Sequence, residues 1–148
     1  MPQSLKKGFT LLELLIVIVI IGILAAILIT FLNPLEFIRR SGDARTDKIA
    51  AELKTAVEAF RVGNANGAPN GFADGNIDAN TGWVNELVTA GIAKSSINNQ
   101  ITTANQNNRN LILQGFNTDN PLICFTPQSA NYKNSPEYAA APANLICR

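Results

Sequence analysis

The chain has 148 residues, 47% of them hydrophobic, and a formal net charge of +1 from 12 Lys+Arg against 11 Asp+Glu, so no global field draws in nucleic acid or acidic substrates. It contains no histidine, which removes the commonest general base and the commonest metal ligand together. A Ser-His-Asp triad, a Cys-His dyad, an HExxH zinc site and a Cys2His2 finger are all excluded, and neither an enzyme activity nor a cofactor or metal site is expected.

Residues 1–8 are polar and carry Lys6 and Lys7. From Phe9 to Leu32, 20 of 24 positions are apolar, which leaves the remainder leaner than the about 45–50% of an ordinary globular chain. At 1.5 Å per residue this stretch reaches ~36 Å, enough to cross a bilayer core of ~30 Å with some tilt. Its Ile and Val content is mediocre for a water-soluble helix, but lipid forces backbone bonds inward and selects helix anyway. The segment is expected to span a membrane. A cleaved secretory signal is the rival, but such signals have an apolar region of about 7–15 residues ending at a small-residue site. Here Leu24-Ala25-Ala26 continues straight into Ile27-Leu28-Ile29. Lys6 and Lys7 argue for an N-terminus in the cytoplasm, while a count of Arg39, Arg40, Arg45 and Lys48 votes the other way. The N-in orientation is preferred because the two cysteines favour an external C-terminal domain.

Glu13 sits inside the apolar stretch, where a carboxylate costs about 2.5–3.5 kcal/mol at mid-membrane and less near the interface. No Lys or Arg lies between Phe9 and Leu32 to meet it. Cleavage after Gly8 would create an α-amino group on Phe9, four residues before Glu13. That ammonium could pair with Glu13 of a neighbouring subunit, strongly in low dielectric, and set the stagger between helices. The bland reading is that Glu13 snorkels to the headgroups and does nothing more.

The run Lys6-Lys7-Gly8-Phe9-Thr10-Leu11-Leu12-Glu13-Leu14, followed by the Ile/Val stretch and Gly22-Ile23-Leu24-Ala25-Ala26-Ile27, resembles the class III leader and N-terminal helix of type IV pilins and pseudopilins. The resemblance implies that a membrane-embedded aspartic peptidase cuts between Gly8 and Phe9 and N-methylates Phe9. It also implies that Lys6 and Lys7 are the leader's basic residues and that Glu13 guides docking into a filament. The implied partners are further copies in a helical filament, related minor pilins, the prepilin peptidase/methyltransferase, an inner-membrane assembly platform, and membrane lipid before assembly. Nucleic acid is not expected among them. Such relatives often carry a proline where this chain has Thr30, and they lose helix in part of the span inside assembled filaments. Gly22 and Pro34 would be natural limits for such a helix break. The expected division is a removed leader over 1–8, a membrane or filament-core helix over 9–32, an amphipathic continuation over 33–62, and a head over 63–148.

Asn33-Pro34 predicts a helix interruption or kink. A helical rhythm then returns, with Ile49, Leu53, Ala56, Val57 and Phe60 on one stripe and charged residues opposite, before Gly63 as a stop. Residues 63–82 read as a long polar loop rather than a strand. Asp74 and Asp78 could be imagined as a calcium loop, but the later glutamate of an EF-hand is missing, so a solvated turn is favoured. Trp83 to Val88, with Thr81 before and Gly91 after, reads as a short capped helix. Trp83, Leu87 and Val88 are expected to bury against a sheet rather than form an aromatic ligand platform.

From there the signals are short strands: Ile101-Thr102-Thr103, Leu111 to Phe116, Leu122 to Thr126, and a final Leu145-Ile146-Cys147. An antiparallel sheet of three or four strands on the amphipathic helix makes an α+β fold, pilin-like in organisation. Cys124 and Cys147, an even count after a membrane-inserting segment, suggest a disulfide made in an oxidising compartment; two unrelated buried thiols are the alternative. Closing this loop would stabilise by roughly 3 kcal/mol through chain entropy.

The leading functional expectation is a structural pilus subunit that moves from the cytoplasmic membrane into an extracellular fibre. A pseudopilin of a type II secretion system is the second. Major secretion pseudopilins usually show an acidic calcium-binding C-terminal loop, whereas only Asp119 and Glu137 are acidic in the last 30 residues here. A minor pilin of a DNA-uptake or adhesion filament is the third, but Lys94, Arg109, Lys133 and Arg148 are too few and scattered for a phosphate track.

Overall fold

A computed structural model describes residues 8–64, 67, 69, 71–78, 80–115, 118, 120–140 and 144–148; Lys6, Lys7, Phe116 and Asp119 lie outside these. The chain divides into an N-terminal unit up to Leu35 and a second unit, Glu36–Arg148.

In the first unit, helix α1 spans Leu11–Phe31. Gly22 lies inside it with helix on both sides, so the limit expected at that glycine is not an interruption of the single chain. Helices tolerate one glycine at a cost of about 1 kcal/mol, and the flanking apolar residues carry the helix through. The interruption expected at Asn33-Pro34 is present at 32–33, where Leu32 turns extended (φ −86°, ψ 107°) and Asn33 precedes a proline that disfavours helix in it. Helix α2, Pro34–Gly63, restarts with Pro34 at its first position, where a missing N–H costs nothing.

The buried face of α2 holds Ile49, Leu53, Ala56, Val57 and Phe60, joined by Ala50, Thr46 and Asp43. These residues pack into one core with the helices α3 (Gly82–Thr89) and α4 (Ile97–Gln106) and a four-stranded sheet. The strands are β1 (Gly75–Ile77), β2 (Leu111–Gln114), β3 (Leu122–Phe125) and β4 (Ile146–Cys147), in spatial order β1-β2-β3-β4. All pairings are antiparallel, with Ile77 opposite Leu111, Leu111 opposite Phe125, and Phe125 opposite Ile146. Between β3 and β4 lie two short helices, α5 (Ala130–Lys133) and α6 (Pro136–Ala140). The fold is α+β, as expected.

Two local expectations are corrected. Ile101-Thr102-Thr103 is not a strand but part of α4. Ile97, Ile101 and Ala104 are buried at steps of four and three, and this stripe outweighs the local β-branched pair. The Thr102 and Thr103 hydroxyls donate to the carbonyls of Asn98 and Asn99 at 3.0 and 2.8 Å, which accommodates them within the helix. The segment 63–82 is not loop throughout, because β1 adds three residues to the free edge of β2. Only Ile77 of β1 is buried, so local apolar content was too thin to reveal it. Strand β2 stops at Gln114, before Gly115 takes φ +73°.

The helix α3 begins after Thr81, whose hydroxyl does not cap it but accepts the Asp78 N–H at 2.8 Å. Its end is turned by Gly91 at φ +72°, a conformation that suits glycine. Trp83 and Leu87 are fully buried and Val88 is partly so. Phe72 meets the Trp83 ring edge-on, with centroids 5.1 Å apart.

Candidate functional site

The segment expected to carry the chemistry begins at Gly8. A side chain there would meet nothing within 4 Å, and Phe9 is 86% exposed. Both precede the first helical residue, so the Gly8–Phe9 bond lies in accessible, non-helical backbone. Thr10 is the N-cap of α1 (φ −79°, ψ 150°) and forms a capping box with Glu13. The Glu13 N–H donates to Thr10 Oγ1 at 3.2 Å. In return Glu13 Oε2 accepts the Thr10 N–H at 2.9 Å and the Thr10 hydroxyl at 2.8 Å. Two N–H groups that open every helix unsatisfied are thereby satisfied. Sequence reasoning treated Glu13 as lacking any local partner and missed this box, although Thr-x-x-Glu before an apolar run is its signature.

Beyond that box α1 offers hydrocarbon except at Thr30, whose hydroxyl donates to the Ile27 carbonyl at 2.7 Å. None of its residues is buried, and Leu11, Leu14, Ile18, Ile21, Leu24 and Leu28 are each at least 58% exposed. With 21 residues, α1 is the one helix among the described residues long and apolar enough to cross a membrane. An apolar surface on every side of a helix calls for surroundings that are not water, whether lipid or other apolar helices.

The head is organised by charges that the sequence presented as scattered. Asp43, fully buried on α2, accepts Arg109 Nε at 2.7 Å, the Gln128 N–H at 3.0 Å and the Ser129 N–H at 2.7 Å. Burial pushes its carboxyl up, but the Ser129, Gln128 and Arg109 hydrogen bonds outweigh this and hold it below the usual carboxylate value. Arg109 also donates to the carbonyls of Arg39 and Asn107 at 2.9 and 3.3 Å. A second group joins Arg148 to Asp47 at 2.5 Å and to Glu137 at 2.7 Å; bonding to Asp47, against burial and with help from Glu137, raises the Arg148 pKa. No signal at the level of spacing links residues 66 and 101 positions apart.

Cys124 and Cys147 are joined as a disulfide. They stand opposite one another on β3 and β4 with Cα atoms 4.0 Å apart. The adjacent Ile123–Arg148 pair exchanges both backbone hydrogen bonds at 3.0 Å. The cysteines therefore take the narrow, non-hydrogen-bonded position, where side chains lie closest. Asp78 closes a turn, the reading favoured over a calcium loop, by accepting the Asn80 N–H at 2.8 Å. Among the described residues no three His, Cys, Asp or Glu side chains are grouped to hold a metal.

A family profile described as "Prokaryotic N-terminal methylation motif" matches residues 3–29, which include Gly8, Phe9 and Glu13. The chain is 48% identical over 56 residues to the "Type IV major fimbrial protein FimA" of Dichelobacter nodosus, covering 38% of this chain and 35% of that protein. Another FimA of the same organism is 43% identical over 74 residues, covering 49% and 45%. A "Fimbrial protein" of Neisseria meningitidis serogroup A is 33% identical over 108 residues, covering 67% and 62%. The chain thus spans about a third of the length of the first of these relatives. No solved structure matches it. With the methylation motif lying over Gly8, Phe9 and Glu13, and fimbrial proteins matching up to two thirds of its length, the chain carries the N-terminal segment of the type IV pilins and is similar to them.

Proposed function

We propose that the chain is the structural subunit of a type IV pilus, with no catalytic role of its own. It is held first in the cytoplasmic membrane with its N-terminus in the cytoplasm. A prepilin peptidase/methyltransferase cuts between Gly8 and Phe9 and methylates Phe9, and an inner-membrane assembly platform then passes the subunit into an extracellular fibre. The observation that carries this reading is α1 itself, apolar on all sides with a single carboxylate one turn from the cleavage point. Moving such a helix from lipid into a bundle of like helices keeps its hydrocarbon away from water throughout. At about 25 cal/mol per Å², exposure at any step would be prohibitive. In the fibre the ammonium on Phe9 of one subunit pairs with Glu13 of its neighbour and fixes the axial stagger.

The disulfide supports a head that matures outside the cytoplasm. The pseudopilin of a type II secretion system is the second reading, and the minor pilin of a DNA-uptake or adhesion filament the third. Mass spectrometry of fibres sheared from the cell surface tests the assignment. The expected result is abundant chain beginning at methylated Phe9. Recovery of the processed chain from envelope membranes alone would transfer the assignment to a pseudopilin, and a chain still carrying residues 1–8 would overturn both.

A further inference from the structure

A groove of about 600 Å³ runs between α2 and α4, within the usual range of about 300–1,000 Å³ for small-molecule sites. Arg45 and Lys48 line it on the α2 side, and Lys94 lines it just before α4; Glu52 is its one acid. Arg109 at its floor is neutralised by Asp43. Arg45, Lys48 and Lys94 form no ion pair among the described residues, so the groove keeps an excess of positive charge that the fold itself does not use. Its α4 wall presents Asn99 and Gln100, whose amides both donate and accept hydrogen bonds, and Thr103, whose hydroxyl already donates to the Asn99 carbonyl and is left to accept.

We infer that this groove binds an acidic oligosaccharide, its carboxylates on the cations and its hydroxyls on the α4 wall. Uncompensated cations select an anionic ligand, and the polar wall selects one rich in hydroxyls. The lining holds no Phe, Tyr or Trp, so a nucleic-acid strand would find no ring on which to stack its bases. Ile49 and Ala104 are its only apolar side chains larger than glycine, too few to hold a lipid tail. A neighbouring recess of about 350 Å³ shares Gly42, Arg45, Asn107 and Arg109 and adds Arg39. The basic lining therefore extends along α2 from Arg39 to Lys48, ~13.5 Å at 1.5 Å per residue, which suits several linked sugars better than one.

The full chain in detergent micelles, titrated with trigalacturonate and followed by backbone NMR, tests the assignment. Saturable shifts are expected at Asn99, Gln100 and Thr103. Lys48→Gln and Lys94→Gln should each weaken binding by about two- to fivefold, the scale of one exposed charge pair, while Glu52→Gln tightens it. Lys133→Gln, outside the groove, should leave it unchanged. Buried Trp83 reports through its fluorescence that each variant is folded. Failure of folded protein to saturate with trigalacturonate would overturn the inference. So would equal affinity for neutral maltotriose, equal displacement by inorganic sulfate at matched ionic strength, or tighter binding of oligothymidylate at the same residues.

Discussion

Replacing Asp43 by Asn offers the most direct test of how the head is held together. The carboxylate is fully buried and receives Arg109 Nε together with the N–H groups of Gln128 and Ser129. An amide in its place removes the charge facing Arg109 and turns an NH₂ toward groups that are themselves donors. Breaking one side of a buried pair in this way costs about 3–5 kcal/mol. With a urea dependence of about 1–3 kcal/mol per M for a small domain, the unfolding midpoint should fall by roughly 2 M. Trp83, the single tryptophan and fully buried, reports the transition by fluorescence in mild detergent. Asp47→Asn serves as the control, since it breaks a partly exposed pair with Arg148 and should cost at most about 1 kcal/mol. If Asp43→Asn moved the midpoint by less than about 0.5 M, as an exposed pair would, the charge cluster would not be what ties α2 to the segment after β3.

The remaining expectations are more compact. Because the folded-state pKa of Asp43 is depressed, its contribution is complete above its unfolded value of about 3.9 and is lost as pH falls through the folded value. Urea midpoints of wild type and Asp43→Asn should therefore stay well separated from neutrality down to about pH 4 and converge below it. Gly42→Ala should destabilise by about 1–3 kcal/mol in the same assay, against the about 1 kcal/mol that alanine ordinarily gains in a helix. The new Cβ would collide with the Arg109 guanidinium, which Asp43 prevents from moving aside. Cys124→Ser with Cys147→Ser should lower stability by roughly 3 kcal/mol, read as a lower urea midpoint that reductant leaves unchanged, whereas reductant should lower the wild-type midpoint, because it opens the Cys124–Cys147 bridge. Glu13→Ala should leave membrane insertion and cleavage intact, as seen by fractionation and mass spectrometry, yet yield no fibres; normal fibres would remove the charge-pairing account.

What the sequence disclosed and what it hid follow from the range of the interactions involved. The stripe Ile49, Leu53, Ala56, Val57 and Phe60 was legible because a helix repeats its buried face every three to four residues, and all five are buried. Strands β2 and β3 were legible because each concentrates apolar residues between turn formers. Strand β1 was not, since its pairing with β2 supplies what its own side chains do not. The α4 segment was misread because two threonines beside Ile101 weigh locally toward strand, whereas Ile97 and Ala104 decide the matter from one turn away on either side. At the N-terminus, Glu13 stands out as the lone acid of an apolar run, the Gly8–Phe9 junction is marked only by the resemblance to a pilin leader, and the Thr10 box is readable in its Thr-x-x-Glu signature. The Asp43–Arg109 cluster was beyond reach, because it exists only after the chain closes on itself.

Glu13 meets Thr10 through Oε2 alone, and that leaves its twin oxygen uncommitted. A carboxylate divided in this way can keep the tip of its own helix locked while a foreign ammonium docks on the vacant side. On the proposed pairing, a neighbour could dock there without melting the first turn. A subunit drawn back into lipid would leave with its helix tip already in the conformation needed to join again.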